Sequence, residues 1–302
     1  MIEIKKTEYL GFENSYLLSN GNIDVIVTTD IGPRILYLGF KGGKNQFCIF
    51  PDHIGRKNQN EFLLYGGTRL WHSPEDIIRT YYPDSKPIDF EIINNGIILK
   101  QPVEETTKLQ KTIEVCLDEN QDMVYINYKI KNLGLFEVKF SNWALSVMAA
   151  GGVEILPIPK FEVGLLPSYQ IVYWPYTKLN DKRVTWGEDF IILRQDSSCD
   201  GPFKIGYPNF DGWASYLNDG VLFTKYYKHI DGAEYPDFGC SFETYTNNLM
   251  LEVETLSPLY SVKPNEEVSH KEVWELSKVD GTISDEESVK KYVLPHIKKG
   301  VL

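Results

Sequence analysis

The densest gathering of side chains able to do chemistry is YGGTRLWHSPED, residues 65–76. Gly66 and Gly67 permit an unusual backbone turn. After them come the guanidinium of Arg69, the indole of Trp71, the imidazole of His72 and the carboxylates of Glu75 and Asp76. A sugar presents hydroxyls edge-on and an apolar C–H face, so a sugar site needs planar hydrogen-bonding groups beside an aromatic platform. Arg69, Trp71 and His72 supply both. The competing reading is a structural loop in which Arg69 pairs with a carboxylate and Trp71 is core. Spacing alone leaves both open.

A second cluster, residues 235–260, holds Tyr235, Asp237, Glu243, Tyr245, Glu252 and Glu254. Period two along a strand puts Glu252 and Glu254 on one face, with Leu251, Val253 and Thr255 on the other. Such carboxylates lie either on a solvated face or in a cleft that raises their pKa, as a general base requires. Asn142 and Trp143 precede a strongly apolar run that reads as a core strand, with Asn142 the exception able to bind a ligand. The stretch from Tyr173 to Gly187, with Trp174, Tyr176, Asp181, Arg183 and Trp186, reads either as a binding rim or as a packed loop. His270 and Glu272 share a face of the last strand and lack the third ligand of a metal site. His53, His229 and His296 are isolated and read as surface residues. Phosphate-loop, dinucleotide, zinc-protease and serine-hydrolase motifs are absent.

The elements that must position these residues are short alternating segments between turns. Asn20-Gly21, Asn95-Gly96 and Asp219-Gly220 each sit between alternating apolar runs and supply the positive φ of a tight hairpin. In a longer hairpin Ile113, Val115 and Leu117 face Val124, Ile126 and Tyr128. Helix signals are few. Ser73 with Pro74 and Asp76 predicts a short helix, and Ser284 with Glu287 predicts a capped helix near the C-terminus, packed on the outside. Without long helices between strands a parallel sheet is excluded. The expectation is an all-β protein, a large antiparallel sandwich forming one domain over residues 1–302.

Composition agrees. With 302 residues, 42% hydrophobic, the chain has ample material for a core. A net charge of -11 argues against nucleic acid and anionic membranes. No secretory h-region or membrane-length apolar run is present, so the expected location is the cytoplasm. The four cysteines are widely spaced and read as buried small hydrophobes.

The segments DIGPRILYLGF, YGGTRLWHSPE, NWALSVMAAGG, WPYTKLNDKRVTWG, YPDFGCSFETYTN and LEVETLSPL…HKEVWEL together resemble an uncharacterised family of the galactose mutarotase-like superfamily, over residues 10–277. The resemblance implies a β-supersandwich whose concave face binds a sugar or oligosaccharide. It also implies the chemistry of aldose 1-epimerases, metal-free and cofactor-free sugar isomerisation by general acid/base catalysis. It makes Glu254 the base, from the layout VETLSPLYSVKPNEEV, and sets Arg69 and His72 beside the sugar. Trp71, Asn142, Tyr235, Asp237 and Glu243 complete the expected site. The family's general acid is a strand histidine, and Asn142-Trp143 stands there instead. Either His72 takes the acid role, or the protein binds or transforms a different sugar. The alternatives are a non-catalytic carbohydrate-binding protein and a lyase-like enzyme, in which Arg69 would neutralise a uronic carboxylate and Tyr235 or Tyr245 would act as base.

Overall fold

A computed structural model describes all of residues 1–302. Its strands form three antiparallel sheets. The first is an N-terminal four-stranded meander in chain order, Glu3–Tyr9, Phe12–Ser19, Ile23–Thr28 and Arg34–Phe40. The second runs in the order Val172–Tyr173, Phe203–Tyr207, Phe242–Thr246, Leu251–Leu256 and Val138–Met148, and Thr68–Ser73 pairs along the far side of Val138–Met148. The third has ten strands and includes the hairpin Leu109–Leu117/Met123–Asn132 and the long strand Glu267–Lys278. The all-β antiparallel expectation holds.

The three tight turns fall where the Asn-Gly and Asp-Gly pairs place them, with positive φ at Gly21, Asn95, Asp219 and Gly220. Ile113 pairs with Tyr128, Val115 with Ile126 and Leu117 with Val124, so alternation also sets the register of the longer hairpin. A cluster of 39 buried side chains draws on all three sheets: Leu18 and Val25 from the first, Phe203, Phe242 and Val253 from the second, and Ile113 and Trp274 from the third. This core fills the space between the second sheet's inner face and the ten-stranded sheet. The second sheet's other face is left for something else.

The helices differ from expectation in detail. Residues 74–81 form turns instead of a helix. Ser73 ends its strand with its hydroxyl on Asp237, and it is Asp76 Oδ1 that accepts from the backbone N–H groups of Ile78 and Arg79. Near the C-terminus the helix is Glu286–Tyr292, capped by Asp285 in a reciprocal box with Ser288 instead of by Ser284 with Glu287. An aspartate one residue on caps as well as a serine. As expected this helix packs outside, with Val289 and Val293 against Ile155, Ile192, Trp213 and Leu222. No helix is long and apolar enough to cross a membrane.

One buried cation ties the first sheet to the strand that carries Arg69. Arg34, with 0% exposure, donates from Nε to Asp84 Oδ2 at 2.9 Å, from Nη2 to the carbonyl of Leu63 at 3.2 Å and from Nη1 to that of Leu64 at 2.8 Å. It thereby holds the chain as it enters the positive-φ run Tyr65-Gly66-Gly67. There a Cβ on Gly66 or Gly67 would come within 2.0 Å of a neighbouring carbonyl oxygen. Replacing Arg34 by Met would strand Asp84 and two carbonyls. We expect Arg34→Met to lose about 3–5 kcal/mol of stability, as breaking a buried pair usually does. Urea unfolding checks this, and a loss below about 1 kcal/mol would show that the fastening is dispensable.

Candidate active site

Strand pairing decides which side chains meet. Leu145 pairs with Arg69 on one side and Glu254 on the other, Glu254 pairs with Glu243, and Glu243 with Gly206. Directly paired residues point to the same face, and so do residues two apart. One face of the second sheet therefore carries Arg69, Trp71, Trp143, Glu252, Glu254, Glu243, Tyr245 and Lys204. The opposite face carries Leu70, Phe242, Val253 and Phe203, and belongs to the main core. Trp71, Trp143, Leu145 and Leu256 form their own small apolar cluster with Phe62, apart from that core.

The polar groups of this face are linked. Lys204 Nζ lies 2.7 Å from Glu243 Oε2 and 3.1 Å from Glu254 Oε2. Trp143 Nε1 donates to the same Glu254 oxygen at 2.8 Å. Arg69 Nη2 donates to Glu252 Oε1 at 2.5 Å. The Arg69 guanidinium lies 4.2 Å from the Trp71 ring centre, and the Lys204 ammonium lies 4.6 Å from both the Trp143 and Trp174 rings. Trp71 meets Tyr81 and Trp143 edge to face at 5.0 and 5.3 Å and Phe62 at a tilt at 5.4 Å, along one wall. On the far side Tyr176 stands against Tyr245. Gly206 is required here, since a Cβ would come within 2.7 Å of Cys240 Sγ and 3.0 Å of Glu243 Cγ.

Every charged group in this network is nearly or fully buried, with Glu254 at 0% and Arg69 at 3% exposure. Burial pushes the carboxyls of Glu243 and Glu254 upward, against the pull of Lys204. Burial opposes the charge on Lys204, but the two carboxylates outweigh it and hold the ammonium firmly protonated. Four buried polar atoms remain without partners: Arg69 Nε and Nη1, Glu243 Oε1 and Glu254 Oε1. Two unused donors and two unused acceptors thus stand on one aromatic-walled face, a pattern suited to a molecule with several hydroxyls.

The residues expected from sequence do not all arrive here. Arg69, Trp71, Glu243 and Glu254 do. Asp237 comes to the edge, held in a left-handed conformation at φ 49° and accepting from Ser73 Oγ at 3.3 Å. His72 does not arrive. It alternates with Arg69 and Trp71, so its ring lies on the core face, 6.1 Å from the ring of Phe140. Burial and then the Lys111 ammonium push its pKa down to about 3. Asn142 pairs with His72 and shares that face, donating to the carbonyls of Tyr128 at 3.1 Å and Val268 at 3.4 Å. Tyr235 accepts from the Ile230 N–H at 2.8 Å and stacks on His229, apart from the network. His229 is half-buried, with Nδ1 2.8 Å from Ser241 Oγ, and is not the bare surface residue expected. His270 is likewise internal, 2.8 Å from Thr255 Oγ1.

Lys204 escaped the reading of the sequence altogether, because in FKIGY a lysine between two apolar residues looks like a solvated position. Glu252 was recognised only as a neighbour of Glu254 on its strand. The carboxylate alternation at 252 and 254 was the usable signal, and the question of solvated face or cleft resolves to burial. A cavity of about 870 Å³ elsewhere, between the outer face of the ten-stranded sheet and the chain's last residues, includes Phe210, Trp213 and Tyr226 but none of these charged groups.

No protein-family model matches the sequence, and no curated protein matches it. Solved structures do match. A TPR-domain containing protein from Parabacteroides distasonis ATCC 8503 is 12% identical with a TM-score of 0.59, over 89% of this chain and 48% of that one. The chain thus spans about half of that protein's length. A galactose mutarotase-like protein from Lactobacillus casei ATCC 334 is 10% identical with a TM-score of 0.56, over 87% and 100% of the two chains. A candidate aldose 1-epimerase from Escherichia coli K12 is 11% identical with a TM-score of 0.53, over 88% and 99%. The three antiparallel sheets, with one face of the second set apart from the core, are the galactose mutarotase-like fold.

Proposed function

We propose that the Arg69–Glu254 face binds a sugar and that the protein interconverts sugar anomers, as an aldose 1-epimerase does. The observation that carries this reading is the set of four unpartnered buried atoms, Arg69 Nε and Nη1 with Glu243 Oε1 and Glu254 Oε1, beside the indoles of Trp71 and Trp143. Buried polar atoms are normally satisfied, and four exceptions beside two indoles on one face support a ligand that completes them, although others lie elsewhere in the protein. The likeness in fold to galactose mutarotase-like proteins supports a sugar as that ligand.

Anomer exchange asks for two proton transfers. Glu254, as carboxylate, accepts the proton of the anomeric hydroxyl. The electron pair left on that oxygen forms the carbonyl, the bond from C1 to the ring oxygen breaks, and an acid protonates the ring oxygen. Rotation about the bond between C1 and C2 and reversal of the steps deliver the other anomer. His72 cannot reach this face from its side of the sheet, so the acid falls to Glu243. Its carboxyl is driven toward the protonated form by burial and stands across the Lys204 ammonium from Glu254. Lys204 and the Trp143 N–H hold Glu254 by one oxygen and leave the other free for the sugar.

Non-catalytic binding is the second reading. It is favoured by Glu254 Oε2 already being engaged twice and by the absence of an imidazole from this face. An elimination from a uronic acid finds less support, because Tyr235, one of its two candidate bases, lies apart from the network.

Polarimetry on freshly dissolved anomers separates the readings. Glu254→Gln should keep sugar affinity within about threefold and slow the catalysed exchange by about 10²–10⁴, the range of a general base. His72→Gln should leave the rate within about threefold of wild type. Rates indistinguishable from buffer for the wild-type protein would leave binding as the function. Loss of rate in His72→Gln with an unchanged fold would overturn the assignment of the acid.

The pH profile follows from the two carboxyls. A base must be ionised, so kcat/KM should rise as pH passes upward through the pKa of Glu254. An acid must be protonated, so it should fall again above the pKa of Glu243, which burial drives further up. We expect a bell whose alkaline limb disappears in Glu243→Gln along with most of the rate. A Glu243→Gln enzyme with full activity and the same bell would remove Glu243 from the chemistry.

A further inference from the structure

Arg69, Glu243, Glu252 and Glu254 are all buried, so a sugar reaches them only if something above them moves aside. The two walls of the site are held in different ways. The far wall is fastened to the sheet. Val172–Tyr173 pairs with Phe203–Tyr207, and beside it Thr177 Oγ1 donates to the Lys204 carbonyl at 2.6 Å and accepts from the Lys204 N–H at 2.9 Å. The near wall includes residues 74–81, which have no such fastening. Every hydrogen bond and ion pair of this segment is internal, joining Asp76 to Ile78, Arg79 and Thr80, and Glu75 to the Tyr81 hydroxyl. Only the flanks are anchored, Ser73 by pairing with Ser141 and Asp84 by the Arg34 guanidinium. Between them Ile77 and Ile78 are exposed. What turns inward is Thr80, fully buried, and the ring of Tyr81, 5.0 Å from Trp71 and 5.6 Å from Phe62.

Resting on the sugar-binding reading above, we infer that residues 74–81 are a flap that lifts to admit the sugar and then closes the ring of Tyr81 over it. A segment with no hydrogen bond to the body opens at far lower cost than the paired strands beneath it. Tyr81 is the latch, since its ring makes the segment's aromatic contacts with the body. Its surroundings set it beside the site. Burial and then the bonded Glu75 push the Tyr81 phenol upward, and Arg69 and Glu252 act on it as well. Across the mouth the Tyr176 phenol is raised first by burial; Lys204 and Glu254 act on it from the floor, and Glu75 acts on it from the flap. Flap and fastened wall therefore face each other over the buried charges. Lifting the flap takes Tyr81 off Trp71 and uncovers that indole beside the Arg69 guanidinium, the two groups that would meet the sugar's C–H face and its oxygens.

Trypsin acting on the intact, folded chain tests this. Thr80 is fully buried, so the Arg79–Thr80 bond is cut only while the flap is up, and the rate follows the lifted fraction. Mass spectrometry follows the fragments that end at Arg79 and begin at Thr80. Cutting after the fully buried Arg34 serves as the measure of global unfolding. In the wild type the cut after Arg79 should outrun the cut after Arg34. Tyr81→Ala removes the latch and should speed the Arg79 cut at least about tenfold while leaving the Arg34 cut unchanged. Tyr81→Phe keeps the ring on Trp71 and should stay within about threefold of wild type. Glucose, galactose, mannose and xylose are the ligands, with binding measured separately by calorimetry. A sugar that binds, supplied at about ten times its Kd, should slow the Arg79 cut about tenfold. Equal cutting of wild type and Tyr81→Ala, or a bound sugar that leaves the cut unchanged, would overturn the flap and leave the sugar site standing. Failure of every sugar to bind, with Tyr81→Ala still cut faster, would overturn the sugar site and with it the flap's role.

Discussion

A single ammonium group organises the candidate site. Lys204 reaches from the strand Phe203–Tyr207 between the rings of Trp143 and Trp174 to two carboxylates on the next two strands. Burying three charges together is expensive, and hydrophobic replacements of similar shape usually serve stability as well or better. A face packed only for stability has no use for buried carboxyl oxygens without partners, as Glu243 Oε1 and Glu254 Oε1 are. The arrangement makes sense if stability is surrendered for a polar surface held ready before the ligand arrives.

The strand that carries Glu254 is held from its other face as well. Lys225, fully buried, donates to the carbonyl of Val253 at 3.0 Å and pairs with Glu272 at 3.1 Å. Thr255, on the other side of Glu254, donates to Glu272 and lies 2.8 Å from His270 Nε2. Trp274 Nε1 closes the group on Glu272 at 2.7 Å. This second polar cluster lies between the sheets and fixes the backbone on both sides of the candidate base. No side-chain atom of Lys225 or Glu272 is left without a partner, unlike Arg69, Glu243 and Glu254 on the opposite face. Two buried clusters on one strand thus differ in the property that separates scaffolding from a binding surface.

Much of the architecture was legible because its causes are local. Asn20-Gly21, Asn95-Gly96 and Asp219-Gly220 turn the chain wherever they stand, and alternation sets the register of the strands they join. The lack of long helices between those strands excluded a parallel fold before any pairing was known. The site was legible only in part, for a reason that is equally physical. Glu252 and Glu254 could be put on one face by counting, but what covers that face is decided by distant segments such as Phe62, Trp174 and Tyr176. Lys204 sits 50 residues from Glu254 in the chain, and nothing in FKIGY announces that its outer face is walled by indoles.

The misplacement of His72 teaches the sharper lesson. Arg69, Trp71 and His72 look like one cluster because they lie within four residues, yet a strand sorts them by parity. Arg69 and Trp71 go to the site, and His72 goes with Asn142 to the core, where Asn142 spans the gap to Tyr128 and Val268 on the ten-stranded sheet. The resemblance expected a strand histidine near Asn142-Trp143, and parity explains what this chain has done with that position. Trp143, not Asn142, faces the candidate base, and its N–H donates to the Glu254 oxygen at 2.8 Å. An indole can donate a hydrogen bond but cannot give up its proton to a ring oxygen. In the proposed anomer exchange the proton donor therefore falls to the carboxyl groups gathered around Lys204, paired acids standing where the resemblance expects an imidazole.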